Sequence, residues 1–201
     1  LERMNSNTST GLDGWSVKEL RLLPDHMLQA LCAIFAKIEA TGHWPRVLSE
    51  GLISMIPKGL NLQPRNLRPI TVMSAVYRLW AASQVRRVLA WMEDWIHPSL
   101  TSYRPERGCE DLWWPLALKV EEALLAGDDL CGVGFDFNRA FDRLPSKLLL
   151  KLAAELGMPA NILRGLEGMY ERLQRRFKTG GCVGAAFRST NGIMQGRPLS
   201  V

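Results

Sequence analysis

Between Met73 and Ile96 the residues Tyr77, Trp80, Gln84, Val88, Trp91 and Trp95 recur every three or four positions. That spacing predicts one long helix with an aromatic stripe, and such a stripe must be buried against other elements. Its tryptophans are read as core and not as stacking platforms, because they keep the helical period. The same period recurs at Met27, Leu31, Ile34, Phe35 and Ile38, in a helix running from Pro24 and ended by Gly42 and Pro45. Asp13 or Ser16 is placed to cap a short helix through about Leu22. Further helices are expected from Cys109 to Ala126, with Pro115 in the first turns or at a kink, and near 146–156 and 159–173, divided by Gly157 and Pro159. Strand patterns are fewer: Leu52 to Ile56, Leu130 to Phe137, and a hairpin over 174–191 turning at Gly180-Gly181, with a loop over 57–67. Helices and strands do not alternate regularly, so the fold class is α+β. Residues 1–10 are polar and are expected to be loose.

The chain has 201 residues, of which 47% are hydrophobic and 22% charged. That is a globular composition, and it excludes disordered and collagen-like chains. The longest uncharged run, His26 to Ala36, is 11 residues, against roughly 18 for a membrane-spanning helix; no span is expected. The cysteines Cys32, Cys109, Cys131 and Cys182 are scattered and only three histidines accompany them. This argues against a zinc cluster or a disulfide framework and for a reducing, intracellular compartment, nuclear or cytoplasmic.

Net charge is +5 and the isoelectric point about 9.2, which makes nucleic acid a candidate partner. The distribution sharpens this. Lys58, Arg65, Arg68, Arg78, Arg86 and Arg87 lie between Glu50 and Glu93 with no acid among them. Arg172, Arg175, Arg176, Lys178, Arg188 and Arg197 follow Glu171, again without an acid. Acids gather at 106–142, so two basic stretches flank an acidic middle.

In Leu130-Cys131-Gly132-Val133-Gly134-Phe135-Asp136-Phe137 the two-residue period points Cys131, Val133, Phe135 and Phe137 to a core. Gly132, Gly134 and Asp136 take the other face. A carboxylate beside bare backbone suits a hard cation such as Mg²⁺ and equally suits a turn cap. Gly132-x-Gly134 is not a dinucleotide fingerprint, since Phe137 occupies the third glycine's place.

Phe135-Asp136-Phe137-Asn138-Arg139-Ala140-Phe141-Asp142 resembles the first catalytic motif of reverse transcriptases, especially those of non-LTR retrotransposons and group II introns. Four further elements match the same family in order: Gly11-Leu12-Asp13-Gly14; Ile53 to Lys58 followed by Asn66 to Ile70; Arg107-Gly108-Cys109; and Gly192-Ile193-Met194-Gln195-Gly196-Arg197-Pro198-Leu199-Ser200. The resemblance implies a right-hand polymerase: a flexible segment at 1–10, fingers over 11–108 and an incomplete palm over 109–201, with helices packed on a small antiparallel sheet. It implies addition of dNTPs to a primer 3′-end on an RNA template by two-metal phosphoryl transfer with Mg²⁺ or Mn²⁺. Asp136 would be the metal carboxylate and the Phe137 carbonyl a further oxygen. Lys58 and Arg68 would meet the triphosphate, as would Arg139 and Ala140 through backbone N–H groups. Phe141 would wall the sugar pocket against a ribose 2′-hydroxyl, and Gln195 and Gly196 would contact nucleotide and template. Arg172, Arg175, Arg176 and Lys178 are placed to contact nucleic-acid phosphates, and equally to be a solvated helix end. The family's Asp-Asp motif is expected beyond Val201, so the chain reads as a fragment of a larger polyprotein or multidomain chain, inactive alone. The alternative is a non-catalytic descendant that binds nucleic acid through the same basic surface.

Overall fold

The computed structural model describes residues 1–60, 63, 66–194 and 199. The long helix α3 (Ala75–Glu93) is the centre of the packing. Its Tyr77 and Trp80 are almost fully buried together with Trp44. The Trp44 ring meets Trp80 edge-on at 5.0 Å and Tyr77 at 5.4 Å. The stripe fades past the C-terminal end of α3, where Trp95 is 42% exposed.

Gln84 sits in that apolar stripe because a carboxylate meets it there. Glu39 on α2 (Asp25–Thr41) accepts hydrogen bonds from Gln84 Nε2 at 2.7 Å and Trp80 Nε1 at 3.1 Å. Its second oxygen accepts one from Asn161 on α7 (Ala160–Arg172). Three helices are tied at one acid, and the Trp80, Gln84 and Asn161 donors that meet it are paired.

Small residues let α7 come close. Gly165 lies under the Trp80 ring, with 2.6 Å between an added Cβ and ring carbon Cζ2, and a Cβ at Gly168 would overlap the Gly42 carbonyl. Gly42 itself ends α2 in the left-handed region, φ +69°. The short α1 (Val17–Arg21) is capped by Ser16, reciprocated by Glu19. Residues 1–10, expected to be loose, are held: Arg21 donates to the carbonyls of Leu1, Glu2 and Met4, and Arg78 to Thr8 and Ser9.

The sheet has four strands in the order β2-β1-β3-β4: β1 (Glu50–Pro57), β2 (Leu67–Val72), β3 (Gln174–Thr179) and β4 (Cys182–Val183). It is mixed, where an antiparallel sheet was expected: β1 runs antiparallel to β2 but parallel to β3. The sheet also takes strands from both sides of the expected boundary at 108/109. The segment expected to be a loop through residue 67 leads straight into β2. Pro69 is tolerated there because β2 is the sheet edge, where one side of the backbone needs no partner. The hairpin β3–β4 turns at Gly180 and Gly181, both with positive φ, as a two-residue turn requires.

The expected strand at Leu130–Phe137 does not form, and this corrects the sequence reading. Its residues lie outside the sheet, and Val133, Phe135 and Phe137, expected in a core, are about four-fifths exposed or more. The segment pairs with neither edge of the sheet, β2 or β4, and alternation alone does not hold a strand. The preceding α4 (Glu110–Ala126) is regular but has no buried residue. The helices α5 (Ala140–Arg143), α6 (Ser146–Glu155) and α7 then lead into β3.

Replacing Gly168 with Ala should cost about 1–3 kcal/mol by forcing α7 away from the end of α2. The check is the denaturant midpoint; a variant as stable as the parent chain would contradict this packing.

Candidate functional site

Strand register decides which side chains can act together. Ile56 lies opposite Arg68 on β2, and Ser54 opposite Lys178 on β3. The Lys58 amide continues the hairpin, donating to the Asn66 carbonyl at 2.9 Å. Residues two apart on a strand, and partners across strands, share a face. Lys58, Arg68, Arg176 and Lys178 therefore stand on one face of the sheet. Both basic stretches contribute to it, one through the β1–β2 hairpin and the other through β3.

Lys58, Arg68 and Lys178 are exposed and make no ion pair among the described residues. Arg176 Nε lies 3.3 Å from Glu50 Oε2, while Arg46 Nε reaches the other oxygen of the same carboxylate at 3.4 Å. Among the described residues Lys58, Arg68, Arg176 and Lys178 on this face, with Arg46 beside them, meet one acid, Glu50.

Arg175 points to the opposite face. Burial pushes its guanidinium pKa down, with the nearby Tyr170 and Asp142 opposing that push. Its backbone bridges to Phe187, whose ring stacks on Phe177 at 5.1 Å. The four cations grouped in sequence are thereby separated: Arg176 and Lys178 join Lys58 and Arg68, Arg175 is drawn toward Asp142, and Arg172 closes α7 as an exposed residue.

A second assembly joins two of the quoted motifs. The Phe141 carbonyl accepts the Ile193 N–H at 2.8 Å, and the Leu144 carbonyl accepts the Gly192 N–H at 2.9 Å. Gly192 has φ +89°, and an added Cβ would lie 3.0 Å from the Asp142 carbonyl oxygen and 3.1 Å from that of Phe141. Met194, fully buried, donates its N–H to the Tyr170 hydroxyl at 3.3 Å. Burial raises the Tyr170 pKa, and the Met194 N–H draws it back in part. The segment Phe135 to Asp142 and the segment from Gly192 are therefore clasped backbone to backbone. Phe141 and Asp142 are half-buried by the clasp, and Arg139 enters α5 in the left-handed region, φ +54°.

Asp136 is exposed and makes no hydrogen bond or ion pair among the described residues. No three acidic, histidine or cysteine side chains among them come together to hold a metal ion. Asp136 with the Phe137 carbonyl does not by itself fit a divalent-ion site. Gln195 and Gly196 lie outside the described residues.

Sequence reasoning missed the lock on the Gly11-to-Gly14 element. Asp13 accepts a hydrogen bond from Ser74 Oγ at 2.6 Å, and the same hydroxyl caps α3 by accepting the Val76 N–H. An added Cβ at Gly11 would lie 2.7 Å from the Ser74 nitrogen, so only glycine passes there. Arg78 closes the cluster beneath, 9% exposed, its pKa lowered by burial and opposed by Asp13. The signal present in the sequence is Ser74 as a helix cap at the start of the long helix.

No protein-family model matches the chain. It is 24% identical, over all of its 201 residues, to the uncharacterised 149 kDa protein of transposon TX1 from Xenopus laevis, and spans 15% of that protein's length. The chain is thus distantly similar to part of a much larger transposon protein. Among the described residues no helix is long and apolar enough to cross a membrane.

Replacing Gly192 with Ala should open the clasp, and the Ile193 amide should exchange with solvent faster by about tenfold or more, a loss of roughly 1.4 kcal/mol in local protection. Unchanged exchange at Ile193 would show that the clasp does not hold.

Proposed function

We propose that the chain is the nucleotide- and template-binding part of an RNA-directed DNA polymerase of the reverse-transcriptase type, carried by a retroelement. The observation that carries this reading is the hydrogen bond from Ile193 N–H to the Phe141 carbonyl. The resemblance assigns the segments on its two sides to the same incoming nucleotide, and the fold holds them together. The five motifs in order and the similarity to a transposon protein support the same reading.

In this reading Lys58 and Arg68 neutralise the triphosphate from the fingers-like hairpin, the lysine as a point charge and the arginine as a planar fork. Phe141, fixed by the clasp, sets the sugar pocket; a ring there leaves no space for a 2′-hydroxyl. Arg139 and Ala140 offer backbone N–H groups at the start of α5, and the resemblance assigns Gln195 and Gly196 to the same nucleotide. Asp136 is the carboxylate of the catalytic centre. Mg²⁺ or Mn²⁺ chemistry of the two-ion kind needs a further carboxylate beside it, and no catalytic step is drawn through Asp136 alone. The second reading is a non-catalytic nucleic-acid-binding domain that uses the same cationic face of Lys58, Arg68, Arg176 and Lys178.

Primer extension separates the two. In the protein's full natural length, with a primed RNA template, dNTPs and Mg²⁺, Asp136→Asn should reduce extension by about 100-fold or more. Phe141→Ala should raise ribonucleotide incorporation relative to deoxynucleotide. An Asp136→Asn protein as active as its parent would overturn the polymerase reading.

A further inference from the structure

Where the aromatic stripe of α3 runs out, a cavity of about 150 Å³ lies between α3, α6 and α7. Its walls include Trp91, Trp95, Leu150, Met158, Tyr170 and Ile193, and none of the described residues that line it is charged. Trp91 is held from turning into the space. Its Nε1 donates to the Leu156 carbonyl at 2.8 Å, and its ring lies 5.2 Å from that of Trp95. The buried walls Leu150 and Leu166 face the interior, and the exposed Trp95 stands toward solvent.

We infer that this cavity binds a small uncharged molecule with one aromatic ring, and that the bound ring tightens the clasp between Phe141 and Ile193. Any effect on nucleotide selection rests on the polymerase reading; the binding and the coupling do not. An apolar cavity of this size has room for a single ring, which supplies the contacts its empty walls lack. Indole rings and methionine sulfur favour an aromatic guest, which they meet edge-on or through the polarizable thioether. A charged guest would give up its water and find no opposite charge on the lining. A partner helix would need a groove several residues long, which this volume does not provide. Ile193 belongs to both structures: it lines the cavity, and its N–H donates to the Phe141 carbonyl at 2.8 Å. Tyr170 is shared in the same way, its hydroxyl accepting the Met194 N–H. Opening the clasp withdraws Ile193 from the wall, so the open form holds the ring less well and the ring favours the closed form.

The test uses the isotopically labelled 201-residue chain with benzene as the probe, read by NMR. Benzene should shift the indole signals of Trp91 and Trp95 and the Ile193 amide together, and the shifts should saturate. At about ten times its dissociation constant, benzene should slow exchange of the Ile193 amide by about tenfold. Benzoate should bind about 100-fold more weakly. Ala153→Leu, which fills the cavity from α6, should abolish the benzene response and slow Ile193 exchange unaided. Trp95→Ala, at an exposed position that the fold does not depend on, removes one wall and should weaken benzene binding by about fivefold. The inference is overturned if benzene gives no saturable shift at these residues, if Ile193 exchange is unchanged by it, or if benzoate binds as tightly. It is overturned equally if Trp95→Ala binds benzene like the parent. An Asp136→Asn protein as active as its parent would remove the polymerase reading and leave these responses standing. Absence of the responses would remove the inference and leave that reading standing.

Discussion

Parallel pairing of β1 with β3 sets Glu50 beside Gln174 and Ser54 beside Lys178, and most of the functional argument follows from that register. Without it, the basic residues before Glu93 and those after Glu171 belong to separate surfaces. With it, Lys58, Arg68, Arg176 and Lys178 share one face. Side chains alternate along a strand, so a slip of one residue would exchange Arg176 for Arg175 and turn Lys178 away. The helices α3 to α7 lie between the paired strands in the chain, and the pairing is held by how they pack.

That packing turns on Glu39 and on two glycines. Glu39 collects donors from Trp80, Gln84 and Asn161, fixing α3 and α7 against α2. Gly165 and Gly168 let α7 approach closely enough for its C-terminal end to deliver β3 alongside β1. The same end of α7 carries Tyr170, whose hydroxyl holds Met194 and so supports the clasp at Phe141. One helix thus positions both the cationic face and the junction of the Phe141 and Gly192 segments.

Much of this was legible in the sequence, and the parts that were not share a cause. The aromatic stripe of α3, the capping box at Ser16, the Gly180-Gly181 turn and the two helices at 146–173 follow from local patterns, which depend on neighbours close in the chain. Parallel pairing of β1 and β3 depends on residues far apart and leaves no local trace, so Arg175 was grouped with its neighbours although alternation sends it to the other face. The N-terminal segment looked loose because its composition is polar; its anchor is the buried Arg78, on another helix. Leu130 to Phe137 failed in the opposite direction. Its pattern is that of a strand, but a strand is a relation between two segments, and this one pairs with no strand of the sheet. The motif around Asp136 is visible in the sequence, whereas the clasp at Phe141 is visible only in three dimensions.

The register of β1 against β3 is therefore the quantity to measure. Solution NMR of the isotopically labelled chain reads it through cross-strand amide contacts. Contacts joining Leu52 with Arg176 and Ser54 with Lys178 are the predicted result. A pattern shifted by one residue, or no contact between the two strands, would contradict the shared cationic face and what is built on it.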